Sequence, residues 1–141
     1  MPLTPDHGYP MLVAIASAVA IQYAGFKVGA ARRKYDVKYP TLYLPESDKN
    51  AMAFNCVQRG HQNLLENWNR FLILLTIASI NYPRLAALGG LLRVIAMVVY
   101  CNEYGKGKPE NRRKAAFGYI GTLLNLGLSI MTAGGLIMQS M

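Results

Sequence analysis

The last third of the chain contains 24 consecutive residues without a charged side chain, and this stretch constrains the fold more than any other feature. It runs from 115 to 138 and reads AAFGYIGTLLNLGLSIMTAGGLIM. A helix needs about 20 apolar residues to cross the hydrocarbon core of a bilayer. The recurrent Gly, Ala, Ser and Thr residues also suit close contact between helices in lipid. The stretch therefore predicts a membrane-spanning helix.

Three other segments complete a pattern of four helices. In the segment 9–31, Lys27 is the only charged residue before the basic run at 32–34. No basic residues precede the segment and it has no small-residue cleavage signature, so we predict a membrane span that is retained and not a signal peptide. The run 71–80 is too short to cross alone and must borrow the polar residues before it. A proline-containing turn at 81–84 separates it from a third segment that carries Arg93 in its middle. We predict one all-α integral membrane domain over 1–141, a four-helix transmembrane bundle with helices at about 9–31, 51–80, 84–104 and 112–138.

The basic residues predict the orientation of the bundle. The net charge is +8, and ten of the 15 Lys and Arg residues lie in the two segments 32–51 and 105–114. Because Lys and Arg concentrate in cytoplasmic loops, we expect both segments in the cytosol and both termini on the opposite side. Basic residues placed between apolar runs favour an anionic lipid surface or an anionic substrate as partner, and not a nucleic acid.

The cysteines and histidines exclude several kinds of site. Cys56 and Cys101 lie far apart and form no disulfide framework, so we interpret them as small apolar filler. The two histidines are 54 positions apart, and no spacing typical of metal ligands occurs, so no metal is expected. No Ser-His-Asp or Cys-His pairing is visible either. If the protein is an enzyme, the nucleophile has to come from the ligand.

A polar stripe in the second helix is the first candidate site. Five residues recur at helical steps of four, four, three and four, and so share one face over roughly 22 Å: Asn55, Arg59, Asn63, Glu66 and Arg70. A charged side chain costs about 2.5–3.5 kcal/mol at the centre of a membrane helix, so such residues face a bundle interior, an aqueous cavity or each other. Either Glu66 pairs structurally with Arg59 or Arg70, or the stripe binds a ligand.

More polar groups are predicted at the same membrane level. They are the pairs Arg32 and Arg33, Tyr100 and Tyr104, and Arg112 and Arg113. Each pair alone is typical of basic anchors or of an interfacial aromatic belt. Together with the stripe they predict a site for a small, zwitterionic, net-anionic molecule. Arginines would bind its carboxylates bidentately, and the lone glutamate would bind its ammonium group.

Four motifs resemble the MAPEG family, the membrane-associated proteins in eicosanoid and glutathione metabolism. They are ARRKYDVKYP at 31–40, FNCVQRGHQNLLE at 54–66, YPRLA at 82–86 and YCNEYGKGKPENRRKAAFG at 100–118. The resemblance covers nearly the whole chain from the first to the fourth helix. It implies a homotrimer of four-helix protomers with three glutathione sites at the subunit interfaces. We expect the protein in the endoplasmic reticulum membrane or in another intracellular membrane.

The resemblance also implies roles for individual residues. Arg112, or alternatively Arg113, would stabilise the glutathione thiolate, and Arg33 would act on the electrophile's side. Met97 stands where relatives often carry an arginine, and Arg93 lies one turn earlier. The residues that would bind glutathione are Arg32, Arg59, His61, Asn63, Glu66, Tyr100 and Tyr104.

The implied activity is that of a glutathione transferase or peroxidase, with glutathione as co-substrate. The second substrate would be a hydrophobic electrophile or a lipid hydroperoxide that arrives from the bilayer. Two alternatives stay open. The chain could be a non-catalytic membrane adaptor or lipid-binding subunit with the same fold, or a small transporter or channel, which the shortness of the polar stripe disfavours.

Overall fold

The computed structural model describes residues 3–140, and four long helices make up most of them. No strand occurs within the described residues, so the predicted all-α four-helix bundle is confirmed. The long helices are α1 (Gly8–Tyr35), α2 (Ala51–Asn81), α3 (Pro83–Tyr104) and α4 (Gly118–Gln139), and two short 3-10 helices cover Pro5–His7 and Pro109–Ala115.

The helices have the length and composition of membrane spans, with one exception. Between residues 3 and 140, α1, α3 and α4 are long and apolar enough to cross a bilayer, with mean hydropathies of 1.6, 1.8 and 1.6. The 31 residues of α2 rise about 46 Å, more than the hydrocarbon thickness of about 30 Å. Its apolar second half therefore lies in the membrane while its polar first half extends toward the basic loops.

Helices α2 and α3 form the centre of the bundle. They pack against each other, with α1 packed on both and α4 packed on both. Two side-chain hydrogen bonds fasten the outer helices to α2. Trp68 Nε1 donates to Ser17 Oγ of α1 at 2.9 Å, and Ser129 Oγ of α4 donates to the Leu74 carbonyl at 3.0 Å. Large apolar side chains on the outer faces of α1 and α4 stay exposed and are available to lipid.

The contact between α3 and α4 depends on residues without side chains. A Cβ placed on Gly121 would lie 2.1 Å from the Gly89 carbonyl oxygen. A Cβ on Gly118 would lie 2.4 Å from Ala96 Cβ. Both distances are shorter than any real contact between such atoms, so the two backbones approach this closely only because glycine stands at both positions.

The connections differ at the two ends of the bundle. Helices α2 and α3 are joined by Tyr82 alone, and Pro83 takes the first helical position, where its missing N–H costs nothing. Beside this turn, Arg84 pairs with Asp6 at 3.0 Å. At the other end, the connection after α3 packs against the first turn of α2, where a Cβ on Gly107 would lie 3.6 Å from Ala53 Cα.

Helix α1 extends beyond its predicted end at 31. Arg32, Arg33 and Lys34 occupy its last turn, where cations interact favourably with the negative end of the helix dipole. Asp36 then ends the helix in a left-handed conformation with φ of 52°.

Helix α4 begins at Gly118 and not near 112 as predicted. The residues 112–114 lie instead in the 3-10 helix Pro109–Ala115. Three adjacent cations at the N-terminus of an α-helix would face the positive end of its dipole, which explains why the α-helix starts after them. Arg112 and Arg113 are consequently held on a connection that follows α3.

Candidate functional site

A groove of about 490 Å³ lies between α2, α3 and the chain leading into α4. Its size is within the range of about 300–1,000 Å³ that is usual for small-molecule sites. Three elements distant in sequence supply its polar lining. These side chains are Asn63 and Asn67 from α2, Arg93 and Tyr100 from α3, and Arg112, Arg113 and Tyr119 from the approach to α4 and its first turn.

This groove brings together four of the residues predicted from the sequence: Asn63, Tyr100, Arg112 and Arg113. With Arg93 it contains three guanidinium groups, and among residues 3–140 no carboxylate lines it. Guanidinium groups bind carboxylates through paired, charge-assisted hydrogen bonds. The groove is therefore suited to an anionic ligand.

Arg59 and Tyr104 line a second groove, of about 620 Å³, together with the loop that follows α1. Arg59 Nη1 donates to Glu66 Oε1 at 2.9 Å and Nη2 donates to Oε2 at 3.3 Å. Both side chains are 45% exposed in the protomer. The structural pairing that the sequence left open thus exists, but in an open position where ion pairs contribute little, so a ligand can compete for both partners.

Two stacked tyrosines separate the grooves. The rings of Tyr100 and Tyr104 are 5.3 Å apart between centroids and nearly parallel, with 10° between their planes. Tyr100 lines the first groove and Tyr104 the second. One helical turn of α3 therefore presents a phenol to each groove.

Arg32 contacts the loop after α1 within the same protomer and lines neither groove. Its Nη2 donates to the Thr41 carbonyl at 2.8 Å, and its Cζ lies 4.4 Å from the centroid of the Tyr39 ring. Its Nη1 is buried and has no hydrogen-bond partner among the described residues. Arg32 fastens the loop to the end of α1 and retains one free donor.

Arg33 and His61 do not line either groove within one protomer. Arg33 is exposed at the end of α1. His61 faces α1, and its Nε2 lies 3.7 Å from the position of a Cβ on Gly25. The resemblance implied that His61 binds glutathione beside Arg59 and Asn63, whereas in the protomer His61 faces the neighbouring helix α1.

Glu103 anchors the segment that carries Arg112 and Arg113. Its Oε2 accepts from Lys114 Nζ at 2.6 Å, and its Oε1 accepts from Lys106. The side chain is only 17% exposed, so both bonds are partly shielded from water. By holding both ends of this connection, Glu103 fixes where the two arginines enter the groove.

Arg93, Asn67 and Tyr119 also line the groove, although none of them was among the predicted site residues. Arg93 Cζ lies 5.9 Å from the ring centroid of Tyr119 in α4. Met97 is buried in the core. Asn67 is one turn after Asn63, a helical spacing that could have identified it.

Asn55 holds the loop 36–50 against α2. Its side-chain oxygen accepts from the Leu44 amide at 2.8 Å, and its side-chain nitrogen donates to the Leu44 carbonyl at 2.8 Å. One amide thus satisfies both backbone groups of a loop residue. This contact keeps the loop in place as a wall of the second groove.

We expect Asn55→Ala to release this loop without unfolding the bundle. Leaving the two Leu44 groups without partners costs about 1–3 kcal/mol, and ~1.4 kcal/mol, in the lower part of this range, makes opening of the loop about tenfold more frequent. Limited trypsin digestion of the detergent-solubilised protein should then cleave after Lys38 and Lys49 about ten times faster. Asn50→Ala is the control because the Asn50 side chain makes no hydrogen bond in the described residues. Equal cleavage rates in both variants would contradict the role of Asn55.

Metal sites and reactive cysteines are the other kinds of functional site to consider. Within residues 3–140, no three His, Cys, Asp or Glu side chains form a group that could hold a metal ion. Cys56 and Cys101 are both free and buried, in agreement with their interpretation as apolar filler.

The motifs, the bundle and the groove agree with a comparison against protein families. Residues 10–134 match the model of the MAPEG family. The match includes almost all of the four helices and every residue that lines the two grooves. This chain therefore belongs to the MAPEG family.

Proposed function

We propose that the protein is a membrane-bound glutathione transferase with glutathione-dependent peroxidase activity. Within its family, the motifs at 54–66 and 100–118 most resemble the type-3 microsomal glutathione S-transferases, and conjugation of the leukotriene-C4-synthase kind is included in the proposal. The observation that carries it is the groove in which Arg93, Arg112 and Arg113 lie with Tyr100 and Asn63, and which no carboxylate of the described residues lines.

The charges of glutathione complement the residues around the two grooves. Glutathione has two carboxylates, one ammonium group and one thiol. A carboxylate of glutathione can replace Glu66 as the partner of Arg59, and the ammonium group of glutathione can then bind the released Glu66. Two ion pairs with the ligand thus replace the one ion pair within the protomer. Asn63 offers an amide beside them, and the thiol end then points toward Arg112.

A guanidinium beside the sulfur makes the thiol reactive at neutral pH. A free thiol has a pKa of about 8.5, so a few per cent is thiolate at pH 7. A positive charge nearby favours the thiolate and lowers this pKa. Each unit of lowering corresponds to about 1.4 kcal/mol. Arg112 is the proposed source of this charge and Arg113 the alternative.

Both reactions begin with the same nucleophile. In conjugation, the sulfur forms a bond to the electrophilic carbon while the bond to the leaving group breaks or an epoxide opens to an alkoxide that takes a proton. In peroxide reduction, sulfur attacks one peroxide oxygen and the O–O bond breaks. The alkoxide leaves and takes a proton to become the alcohol, and the first sulfur keeps the transferred oxygen as a sulfenic acid. A second glutathione thiol then attacks this sulfur, and the hydroxyl group leaves as water. The peroxide is reduced to an alcohol and water while two thiols are oxidised to a disulfide.

The residues outside the grooves are explained by the proposed assembly. In a homotrimer with glutathione sites at the subunit interfaces, the exposed Arg33 can approach the groove of a neighbouring copy, with Arg32 and His61 near the same boundary. Both grooves are open to the protomer surface, which such a site requires. We also propose that the basic end faces the cytosol from the endoplasmic reticulum membrane, because its loops contain most of the Lys and Arg residues.

The proposal predicts glutathione binding and two activities in one preparation. Protein purified in detergent is expected to bind glutathione in calorimetry, to conjugate it to chlorodinitrobenzene and to reduce a lipid hydroperoxide. Glu66→Gln should raise the KM for glutathione about tenfold with a smaller change in kcat, because a hydrogen bond to a charged group contributes about 1.5–3 kcal/mol and acts mainly on ground-state binding.

Leu65→Ala is a matched control for Glu66→Gln because Leu65 is the exposed neighbour and, unlike Glu66, has no polar group that pairs with Arg59. A wild-type KM in the Glu66 variant would remove Glu66 from the binding site.

One observation favours a non-catalytic alternative. The Arg59–Glu66 pair already satisfies both groups without a ligand. A membrane adaptor or lipid-binding subunit with this fold would keep the pair and bind no glutathione. Folded protein that gives no calorimetric signal with glutathione would support this alternative over the enzyme.

A further inference from the structure

Lys27 is a cation within a membrane-spanning helix, and it has no acidic partner. It is the only charged residue of α1 before the last turn of that helix. Among residues 3–140 the acids that form ion pairs are Asp6, Asp36, Glu66 and Glu103, and none of these pairs includes Lys27. Charged residues in membrane helices almost always have a partner, so the anion that faces Lys27 has to come from outside the protomer.

Two helices build a polar cluster around Lys27. Its Nζ donates to Asn102 Oδ1 of α3 at 2.6 Å, and Tyr23 OH, one turn earlier on α1, donates to the same oxygen at 2.7 Å. This oxygen belongs to a neutral amide and supplies no negative charge. Within the described part of the chain it is the only acceptor for the ammonium group, so two N–H donors remain. The cluster therefore presents unused donors and one positive charge.

The cluster lies at the basic end of the membrane-spanning part. Lys27 is eight residues before the end of α1, about 12 Å along the helix axis. Asn102 is only two residues before the end of α3. The lysine side chain thus reaches toward the end of α3, near the membrane boundary, where long basic side chains place their charge among the lipid headgroups.

Toward the middle of the membrane, the same seam between α1 and α3 is apolar. Val19 precedes Tyr23 by one turn of α1, and Ile95 precedes Asn102 by two turns of α3, so each shares a helix face with the polar residue. Val19 is 62% exposed and Ile95 is 46% exposed. A cation at the membrane boundary with an apolar surface below it matches the order of a phosphate headgroup and its acyl chain.

We propose that this cluster binds an anionic phospholipid, with the phosphate on Lys27 and Tyr23 and one acyl chain along the seam. Basic pockets between membrane helices are a known way to bind anionic headgroups. The phosphate oxygens accept from the free N–H groups of Lys27 and from the Tyr23 hydroxyl, which exchanges its amide acceptor for a charged one.

A second lysine selects the type of headgroup. Lys34 lies two turns beyond Lys27 on the same face of α1, about 10 Å further toward the headgroups. It is exposed and belongs to no ion pair among the described residues. A positive charge there favours phosphatidylserine, whose headgroup has a net negative charge, over phosphatidylcholine, whose headgroup ends in a cation.

The lipid site is separate from the proposed glutathione site. Tyr23, Lys27 and Asn102 line neither groove. Asn102 lies between Tyr100 and Tyr104 in the last turns of α3. A lipid that holds this part of α3 against α1 therefore also steadies the two tyrosines, while its binding needs no enzymatic activity.

The experiment measures how added lipid raises the thermal unfolding temperature of the protein purified in detergent. Phosphatidylserine and phosphatidylcholine with identical acyl chains are titrated separately. The concentration that gives half of the rise should be about tenfold lower for phosphatidylserine. Glycerophosphoserine, which has the same headgroup without acyl chains, should give no rise. An equal rise with glycerophosphoserine, or equal half-effect concentrations for the two lipids, would overturn the proposal.

Three variants assign the effect to the cluster. Lys27→Met should raise the half-effect concentration of phosphatidylserine about tenfold, and Lys27→Arg should restore most of the affinity. Lys34→Met should make the two lipids equivalent. Lys108→Met is the matched control, since it removes an exposed charge of the same membrane end outside the seam. Equal effects of Lys27→Met and Lys108→Met would mean that the basic loops attract the lipid collectively, and would overturn the site.

A purely structural role for Lys27 has a different signature. If Lys27 only links α1 to α3, Lys27→Met lowers the unfolding temperature without lipid and leaves the half-effect concentration of phosphatidylserine unchanged. That result would also contradict the proposal. Should Lys27→Met fail to fold, Tyr23→Phe and Lys34→Met decide instead, because both side chains are exposed. Wild-type lipid affinities in both of these variants would overturn the site.

Discussion

Arg112→Ala is expected to lower kcat by about a hundredfold while the affinity for glutathione changes little. Arg112 lines the groove beside Tyr100, on the segment that Glu103 holds in place. We propose that Arg112 stabilises the negative charge that forms on the glutathione sulfur when the thiol ionises. Removing one preorganised group that stabilises a developing negative charge typically costs about 10²–10³ in rate. Binding through the carboxylates and the ammonium group uses other residues and is retained.

The ultraviolet absorbance of the thiolate measures this effect directly. Wild-type protein mixed with glutathione at neutral pH should show bound thiolate, and Arg112→Ala should show little. Because the charge lowers the thiol pKa, the wild type should reach full rate at a lower pH than the variant, whose rate should rise toward the ordinary thiol pKa of about 8.5.

Two matched variants decide which arginine acts. Arg113→Ala alters the neighbouring guanidinium in the same groove, and Lys108→Ala removes an exposed charge of the same connection outside the groove. Loss of thiolate in the Arg113 variant alone would move the role to Arg113. Undiminished thiolate in both arginine variants would refute the proposed activation.

Gly121→Ala is expected to have the largest effect on folding. The new Cβ would lie 2.1 Å from the Gly89 carbonyl oxygen, which is backbone and cannot turn aside. Helices α3 and α4 would have to separate, and overpacking of this kind costs about 1–3 kcal/mol or more. The unfolding temperature in detergent should fall by on the order of 10 °C. Since Tyr119 lies two residues away, the groove should also lose activity.

Gly127→Ala is the control on the same helix. A Cβ on Gly127 meets nothing within 4 Å, so the substitution adds a methyl group toward lipid. Alanine is about 1 kcal/mol more favourable than glycine in a helix interior, so stability should stay equal or rise slightly. Similar unfolding temperatures for the two variants would mean that the close contact between α3 and α4 is not required.

The sequence predicted the four helices because each depends on a local property. Predominantly apolar runs of membrane length identify α1, α3 and α4, and the short apolar run at 71–80 had to continue into the polar residues before it. The boundaries at Arg32 and Arg112 were less predictable, since hydropathy treats a basic residue as the end of a span. Cations are favoured at the C-terminus of a helix, so α1 continues through Arg32 to Tyr35. They are disfavoured at the N-terminus, so α4 begins only at Gly118, after Arg112.

The candidate site was predictable only in part. Helical periodicity places Asn63, Arg59 and Glu66 on one face, but it does not reveal which neighbouring helix that face meets. Arg93 is charged in an apolar segment and so attracts attention from sequence, yet its position beside Tyr119 depends on the packing of α3 on α4. The periodicity of one helix shows which residues share a face, but it does not show which residues of a distant segment that face contacts.

The hydrogen bond between Trp68 and Ser17 gives the protein a built-in optical reporter. Trp68 is the single tryptophan of the chain, and its indole nitrogen is fixed to α1 at 2.9 Å. All tryptophan fluorescence therefore originates at one junction between α1 and α2, one turn from Leu64 in the wall of the groove. Movements of α2 that accompany ligand binding can be followed by emission wavelength and by quenchers attached to lipid chains, without a label and in the unmodified protein.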